Sequence, residues 1–216
     1  SAQSFDGSFK NQLYAITALD AGSSALSSRF ISLYINGGYI SNSVKDVFFN
    51  KLSNSNRVGL ISDTEIGFKK FSRRSNDIFP SFQSFSLENF NQYEADFSKD
   101  LFGLYYYGNK LFEGKTISLS NLKYTQEKYQ ILKFGIYQRF GMLGFGCNVG
   151  LVMGQNFLEI STGSSNLFTA PFGEYIDFNL KLKSTSSDLT NDRFFSLEGT
   201  GVSFDLKFDV ISKKNI

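Results

Sequence analysis

The chain reads as a mainly β protein: an antiparallel sheet, barrel-like or a partial barrel, carrying two short amphipathic helices. Three observations predict this. First, two long runs in the second half alternate with period two. In GEYIDFNLKLK, Ile176, Phe178, Leu180 and Leu182 share one face, against Tyr175, Asp177, Asn179, Lys181 and Lys183. In TGVSFDLKFDVI, Val202, Phe204, Leu206, Phe208 and Val210 face away from Ser203, Asp205, Lys207 and Asp209. Alternation this long belongs to antiparallel strands with one face in apolar surroundings, whether core, partner or lipid. Second, 19 glycines and 36 aromatics (25 Phe, 11 Tyr, no Trp) fit β-proteins in which glycine packs on crowded faces and aromatics cover broad ones. The bias of an AT-rich genome is the alternative source of the Phe. Third, only two segments carry a well-capped helical stripe.

The elements follow in order. Residues 1–28 are mixed, with a weak helical stretch near Leu13–Ala21. RFISLYINGGYI reads as a strand with Ile31, Leu33 and Ile35 on one face. NSVKDVFFNKLS (Asn42–Ser53) reads as a helix: Asn42 or Ser43 caps it, and Val44, Val47, Phe48 and Leu52 form its stripe. RVGLISDTEIGFKKF is a strand with Val58, Leu60, Ile66 and Phe68 in register, interrupted by Ser62 and Thr64. Residues 73–90 read as loop with one short strand in FQSFSLE. A second helix runs from its cap Ser98 to Tyr107, with Leu101, Leu104 and Tyr105 in its stripe and Gly108 as its stop. KTISLSNL is a strand. QILKFGIYQRF and MLGFGCNVGLVMG alternate cleanly and abut at Gly141, which predicts a tight hairpin. Gly144, Gly146 and Gly150 line one face of the second strand, which signals close approach or strong curvature. QNFLEIST reads as a separate short strand, residues 162–173 as a loop, and STSSDLTND as the polar link between the last two strands. No linker divides the chain, so residues 1–216 form a single domain: a mixed helix/strand region over 1–113 and an antiparallel β region over 114–216.

Charge and chemistry exclude more than they assign. The net charge is +2 with both signs interspersed. Lys69, Lys70, Arg73 and Arg74, and the KKN near the C-terminus, are too short a basic signal for nucleic acid. The one cysteine, Cys147, excludes an intramolecular disulfide and reads as a buried small hydrophobe. There is no histidine, which removes the commonest general base, His-dependent triads and nearly all zinc sites. Asn109–Thr116 matches a P-loop except at its first position, but it follows a helix and opens a strand, so a turn at Gly114 with positive φ explains it better. Asp63 and Glu65 share a strand face, and paired carboxylates serve glycosidases; a polar face turned to water or a lumen is the preferred account. Asp188, Asp192 and Glu198 are too scattered for a calcium loop. The expectation is a non-enzymatic protein without cofactor or metal.

No apolar run reaches the roughly 18 residues of a transmembrane helix. Ser1-Ala2-Gln3 resembles the product of signal-peptidase cleavage, with a fusion-tag remnant as the alternative. Segments 131–140, 143–153, 174–183 and 201–210 each suit a membrane strand. The expected strand count of eight or nine sits near the minimum of about eight for a closed membrane barrel.

Four stretches carry a resemblance: LFGLYYYGNKLFEGKTISLSNLKYTQEKYQILKFGIYQRFG, GLVMGQNFLEIST, LFTAPFGEYIDFNL and GTGVSFDLKFD. They are similar to a family of uncharacterised outer-membrane β-proteins from Bacteroidota, over roughly residues 95–210. The shared motifs are turns: YGNK-x-F-x-G after a helix, then FTA-x-x-G-x-x-x-D-F. The resemblance implies an exported envelope protein, in the outer membrane or at its periplasmic face. It also implies a large outer-membrane complex as partner, with the chain as an accessory subunit that occludes a secretion pore such as the type IX translocon. The alternative is a small integral barrel, transporter- or porin-like, with a helical hatch. Tyr105, Tyr106, Tyr107, Phe168 and Phe172 are the candidate partner interface, with ordinary core packing as the competing account.

Overall fold

The computed structural model describes residues 10–72, 81–187 and 199–210. Within them the fold is mainly β. In chain order the elements are β1 (Asn11–Ser23), α1 (Ser28–Ile35), α2 (Asn42–Lys51), β2 (Asn56–Ser72), β3 (Ser81–Phe97), α3 (Lys99–Tyr107), β4 (Lys115–Ser118), β5 (Lys123–Phe140), β6 (Leu143–Thr162), β7 (Asn166–Thr169), β8 (Ile176–Asn179), β9 (Leu182–Ser186) and β10 (Gly199–Val210). The large sheet runs β1-β2-β3-β5-β6-β10, with β9 pairing the far end of β6, and a small sheet runs β4-β7-β8. Every strand pairing in both sheets is antiparallel. Among the described residues the large sheet does not close; β1 and β10 each pair on one side only. This is a partial barrel.

The hairpin at Gly141 forms, with Gly141 at φ 63°, and Gly114 takes φ 71° in the turn before β4. α2 and α3 occupy the predicted segments, although α2 is capped at Ser41 rather than Asn42 or Ser43. Several elements differ from the sequence reading. The stretch around Leu13–Ala21 is the edge strand β1, because every residue from Asn11 to Ser23 finds a partner on β2. RFISLYI is helix α1, not a strand. Ser27 accepts a hydrogen bond from the Phe30 amide and caps it, and Phe30 is buried among Phe48, Phe102 and Tyr106. Among the described residues there are therefore three α-helices, not two. Residues 81–97 form one long strand, since β2 and β5 flank it on both sides and satisfy its backbone. QNFLEIST continues β6 past a bulge at Gln155, where Lys128 pairs with Asn156 and Tyr129 with Gly154. β7 lies inside the expected loop 162–173. GEYIDFNLKLK is broken at Leu180–Lys181 into β8 and β9, which belong to different sheets. Ser165 Oγ, in a buried residue, accepts a hydrogen bond from the Lys181 amide and holds that break. The residues Ser1–Gln3, Arg73, Arg74, Asp188, Asp192, Glu198 and the C-terminal KKN lie outside the described ones.

Register gives the large sheet two faces of opposite character. Leu13, Phe68, Phe85, Phe134, Val149 and Phe204 form one row across six strands, and Ala15, Ile66, Leu87, Leu132, Leu151 and Val202 form the next. These rows are open: Leu13 is 79% exposed and Val202 78%. Above them Ile136, Cys147 and Leu206 continue the band on β5, β6 and β10, so Cys147 is half-exposed, not buried. From Val202 to Val210 the band runs ~26 Å along β10 at about 3.3 Å per residue. On β2 and β3 it narrows, because Thr64 and Ser62 face Asn89 and Asn91.

Candidate functional site

The opposite face carries the charge. Tyr14, Glu65, Lys69, Ser86, Glu88, Lys133, Lys207 and Asp209 project from it, as period-two spacing requires. Crowding marks it as the inner side of the curved sheet. A Cβ on Gly144 would overlap the Tyr137 ring, and one on Gly150 would meet Ile131 and Ser203. The Gly-lined face predicted from sequence is therefore filled by neighbouring side chains of the same sheet. At its centre Lys133 pairs with Glu88; their side chains are only 19% and 9% exposed. Beside them the Tyr14 hydroxyl donates to Glu65 Oε1 at 2.6 Å. Lys69 Nζ stands 4.4 Å from the Tyr14 ring centre and 5.3 Å from that of Phe82, and Lys207 lies 5.7 Å from the Tyr137 ring. A recess of about 210 Å³ opens among these groups. Three carboxylates (Asp63, Glu65, Glu88) lie in the two register rows nearer the helices, and Lys69, Lys133 and Lys207 lie beyond them. The arrangement is a charged lining whose groups neutralise one another. Glu65 is engaged with Tyr14, and among the described residues no cluster of three or more His, Cys, Asp or Glu is arranged to hold a metal ion.

The helices sit at one end of the sheet, against the outer face. Phe30, Phe48, Leu52 and Phe102 form their core, with Phe97 of β3 packed on it. Between α1, α3 and the sheet lies a cleft of about 480 Å³, walled by Ala21, Val58, Leu60, Tyr93, Ala95 and Tyr124 on the strand side. Leu26, Phe30, Tyr34, Phe102, Tyr105 and Tyr106 close the other side. The lining is almost entirely carbon. The neighbouring Tyr105 hydroxyl, ahead of burial, raises the Tyr34 pKa. Burial first, then the neighbouring tyrosines, pushes the Tyr106 hydroxyl up to about 12.

The five interface candidates part company here. Tyr105 is 69% exposed at the cleft mouth, edge-on to Tyr106 at 4.8 Å. Tyr106 is half-buried against Phe102, with ring centres 4.4 Å apart. Tyr107 points elsewhere; its hydroxyl donates to Asp46 Oδ1 at 2.6 Å and ties α3 to α2. Burial, then that carboxylate, raises its pKa. Phe168 lies on β7 with its ring 5.9 Å from that of Tyr175. Phe172 is 92% exposed and holds φ 61°, a left-handed conformation costly for an aromatic residue. Tyr105 and Tyr106 thus share the cleft, while Phe168 and Phe172 belong to the region of the small sheet. Sequence reading missed Tyr34, Tyr93 and Tyr124. The only signal was an aromatic near the end of each element. It also missed the Glu88–Lys133 pair, whose partners are 45 residues apart in the chain.

No family model, no curated protein and no solved structure matches the chain.

Proposed function

We propose that this chain forms a stretch of wall of an integral outer-membrane β-barrel, non-enzymatic and transporter- or porin-like, in the bacterial cell envelope. One observation carries the reading: two fully apolar rows cross all six long strands on the exposed face, while the carboxylates of the same strands, and all their lysines but Lys70 and Lys128 outside those rows, face inward. Water-soluble sheets put their apolar face inside. Membrane barrels invert that, with an apolar band about 25 Å tall outside and a polar lining within. The length of the band on β10 suits this, and so does the resemblance to outer-membrane β-proteins. Among the described residues no helix is long and apolar enough to cross a membrane, and strands do that work in this reading.

The connections support an orientation. At one end β5 and β6 are joined through Gly141 and Met142 alone. At the other end α1 and α2, then α3 with β4, then β7 and β8 fill the links between long strands. Outer-membrane barrels have short periplasmic turns and long external loops, so the helices would face the cell exterior. They lie on the outer face at one end, which argues against a helical hatch inside the lumen. The open edges β1 and β10 favour one element of the second reading, an accessory subunit bound to a larger secretion pore, since unpaired strands accept a partner's strand.

The test is a cysteine scan of β10 from Val202 to Lys207 in a Cys147→Ser background, in native envelopes. Positions 205 and 207, exposed on the inner face, are expected to react with a water-soluble maleimide once the lumen is accessible. Positions 202, 204 and 206 are expected to stay unreactive until the membrane is dissolved. Uniform reactivity along the strand would overturn the wall reading. Release of the chain by alkaline carbonate, with a large partner left in the membrane, would favour the accessory subunit.

A further inference from the structure

We infer that the cleft under α1 and α3 binds a single acyl chain, with its polar end at the Tyr34–Tyr105 rim. The inference rests on the reading of the outer face as lipid-facing. Three observations single out this occupant. The cleft holds about 480 Å³, within the ~300–1,000 Å³ usual for small-molecule sites. Its lining exposes almost no polar atom, so nothing in it would satisfy a polar ligand's buried groups. It is walled by the outer face of β1, β2, β3 and β5, the same face that carries the open apolar rows, so a chain enters from the bilayer past the uncharged pairs Thr64–Asn89 and Ser62–Asn91. Polar atoms gather at the mouth, where the exposed Tyr34 and Tyr105 both border the cleft. An apolar body with a polar rim fits a carboxylate or a phospholipid headgroup above one hydrocarbon tail. The helical layer thus has a role that packing on the sheet does not explain: it roofs a slot that its own core leaves unfilled.

The chain has no Trp, so Tyr105→Trp makes a sole reporter at the mouth, and Phe204→Trp a second on the open band. Both proteins are placed in phosphatidylethanolamine vesicles and titrated with 9,10-dibromostearate or with a dibromo-phospholipid. Bromine quenches Trp on contact. Tyr105→Trp is expected to be quenched at a roughly ten-fold lower mole fraction than Phe204→Trp, which reads ordinary partition into the bilayer. Preference for the free acid or for the phospholipid identifies the source; either supports the acyl-chain site. Ala95→Phe, or Ala21→Phe from the next strand but one, fills the cleft and is expected to abolish the preference. Equal quenching of the two reporters, unaffected by these fillings, would overturn the proposal. If Tyr105→Trp does not fold, Tyr34→Trp reads the same mouth. If Phe204→Trp is not quenched at all, the wall reading falls by itself. Dibromostearate added to lipid-free protein then decides the cleft: one-to-one quenching of Tyr105→Trp supports it, and none overturns it.

Discussion

Gly144 and Gly150 lie where the inner face has no room for a Cβ, beside Tyr137 and Ile131. Gly150→Val is expected to destabilise the sheet by about 1–3 kcal/mol through overpacking, read as a lower urea midpoint for unfolding. Glu88 and Lys133 make a second residue-scale case. Removing Glu88 leaves Lys133 charged, shielded from water and without its hydrogen-bonded partner, with only the weaker pull of Glu65 and Asp205. Glu88→Gln is therefore expected to cost about 3–5 kcal/mol, whereas Glu88→Gln with Lys133→Met recovers most of that loss. A double-mutant cycle on unfolding midpoints measures it, and equal losses in single and double variants would refute the coupling. The glycines were legible in sequence as sites of close approach, because period two places them all on one face. The group that approaches was not legible, since Tyr137 reaches Gly144 only across the β5–β6 hairpin. Cys147 was assigned to the correct face but to the wrong environment. Alternation tells which residues share a face and nothing about what covers it.

At the scale of elements, caps and pairing decide. Ser98 accepts a hydrogen bond from the Leu101 amide at 3.0 Å at the start of α3. Ser98→Ala is expected to cost about 1 kcal/mol. Ser41→Ala should cost less, because Ser41 makes no such bond at the start of α2; thermal unfolding of the two variants compares them. Tyr106 gives α3 a pH signature. Its folded pKa stands near 12 against an ordinary 10.0, so the fold favours the neutral phenol. That stabilisation is complete below pH 10 and is lost as pH rises from there towards 12. A tyrosinate titration near 295 nm is expected to lose one of its late steps, the one near pH 12, in Tyr106→Phe. The helix at Ser98–Tyr107 was readable because cap, stripe and stop all lie close together, between Ser98 and Gly108. α1 was not: Ile31, Leu33 and Ile35 alternate like a strand, and β-branched residues favour one. Burial of Phe30 beneath α2 and α3 overrides that preference. β3 was under-read for the opposite reason. Ser, Asn, Gln and Glu populate both its faces, and only flanking strands make such a sequence extended.

At the scale of the whole molecule the two-faced sheet dominates. Leu206 is 63% exposed on the apolar band, and its neighbour Lys207 faces the lining. Leu206→Arg is expected to cost about 2–4 kcal/mol if it sits at mid-membrane depth, and to block assembly into the membrane. Asp205→Arg, at an exposed position of the inner face, is expected to insert. Folded, heat-modifiable protein in envelope fractions reads both, and equal insertion would remove lipid from the apolar face. Alternation in the chain alone specifies that long one-sided antiparallel strands exist, because side-chain direction along a strand is local and has period two. It specifies the hairpin at Gly141 for the same local reason. Only the tertiary structure decides which strands are neighbours, and therefore that separate apolar stripes merge into continuous rows. It also decides that GEYIDFNLKLK is divided between two sheets, and that α1 and α3 roof a cleft on the outer face. Those outcomes depend on contacts between residues tens of positions apart, and a sequence pattern with a range of a few residues holds no record of them.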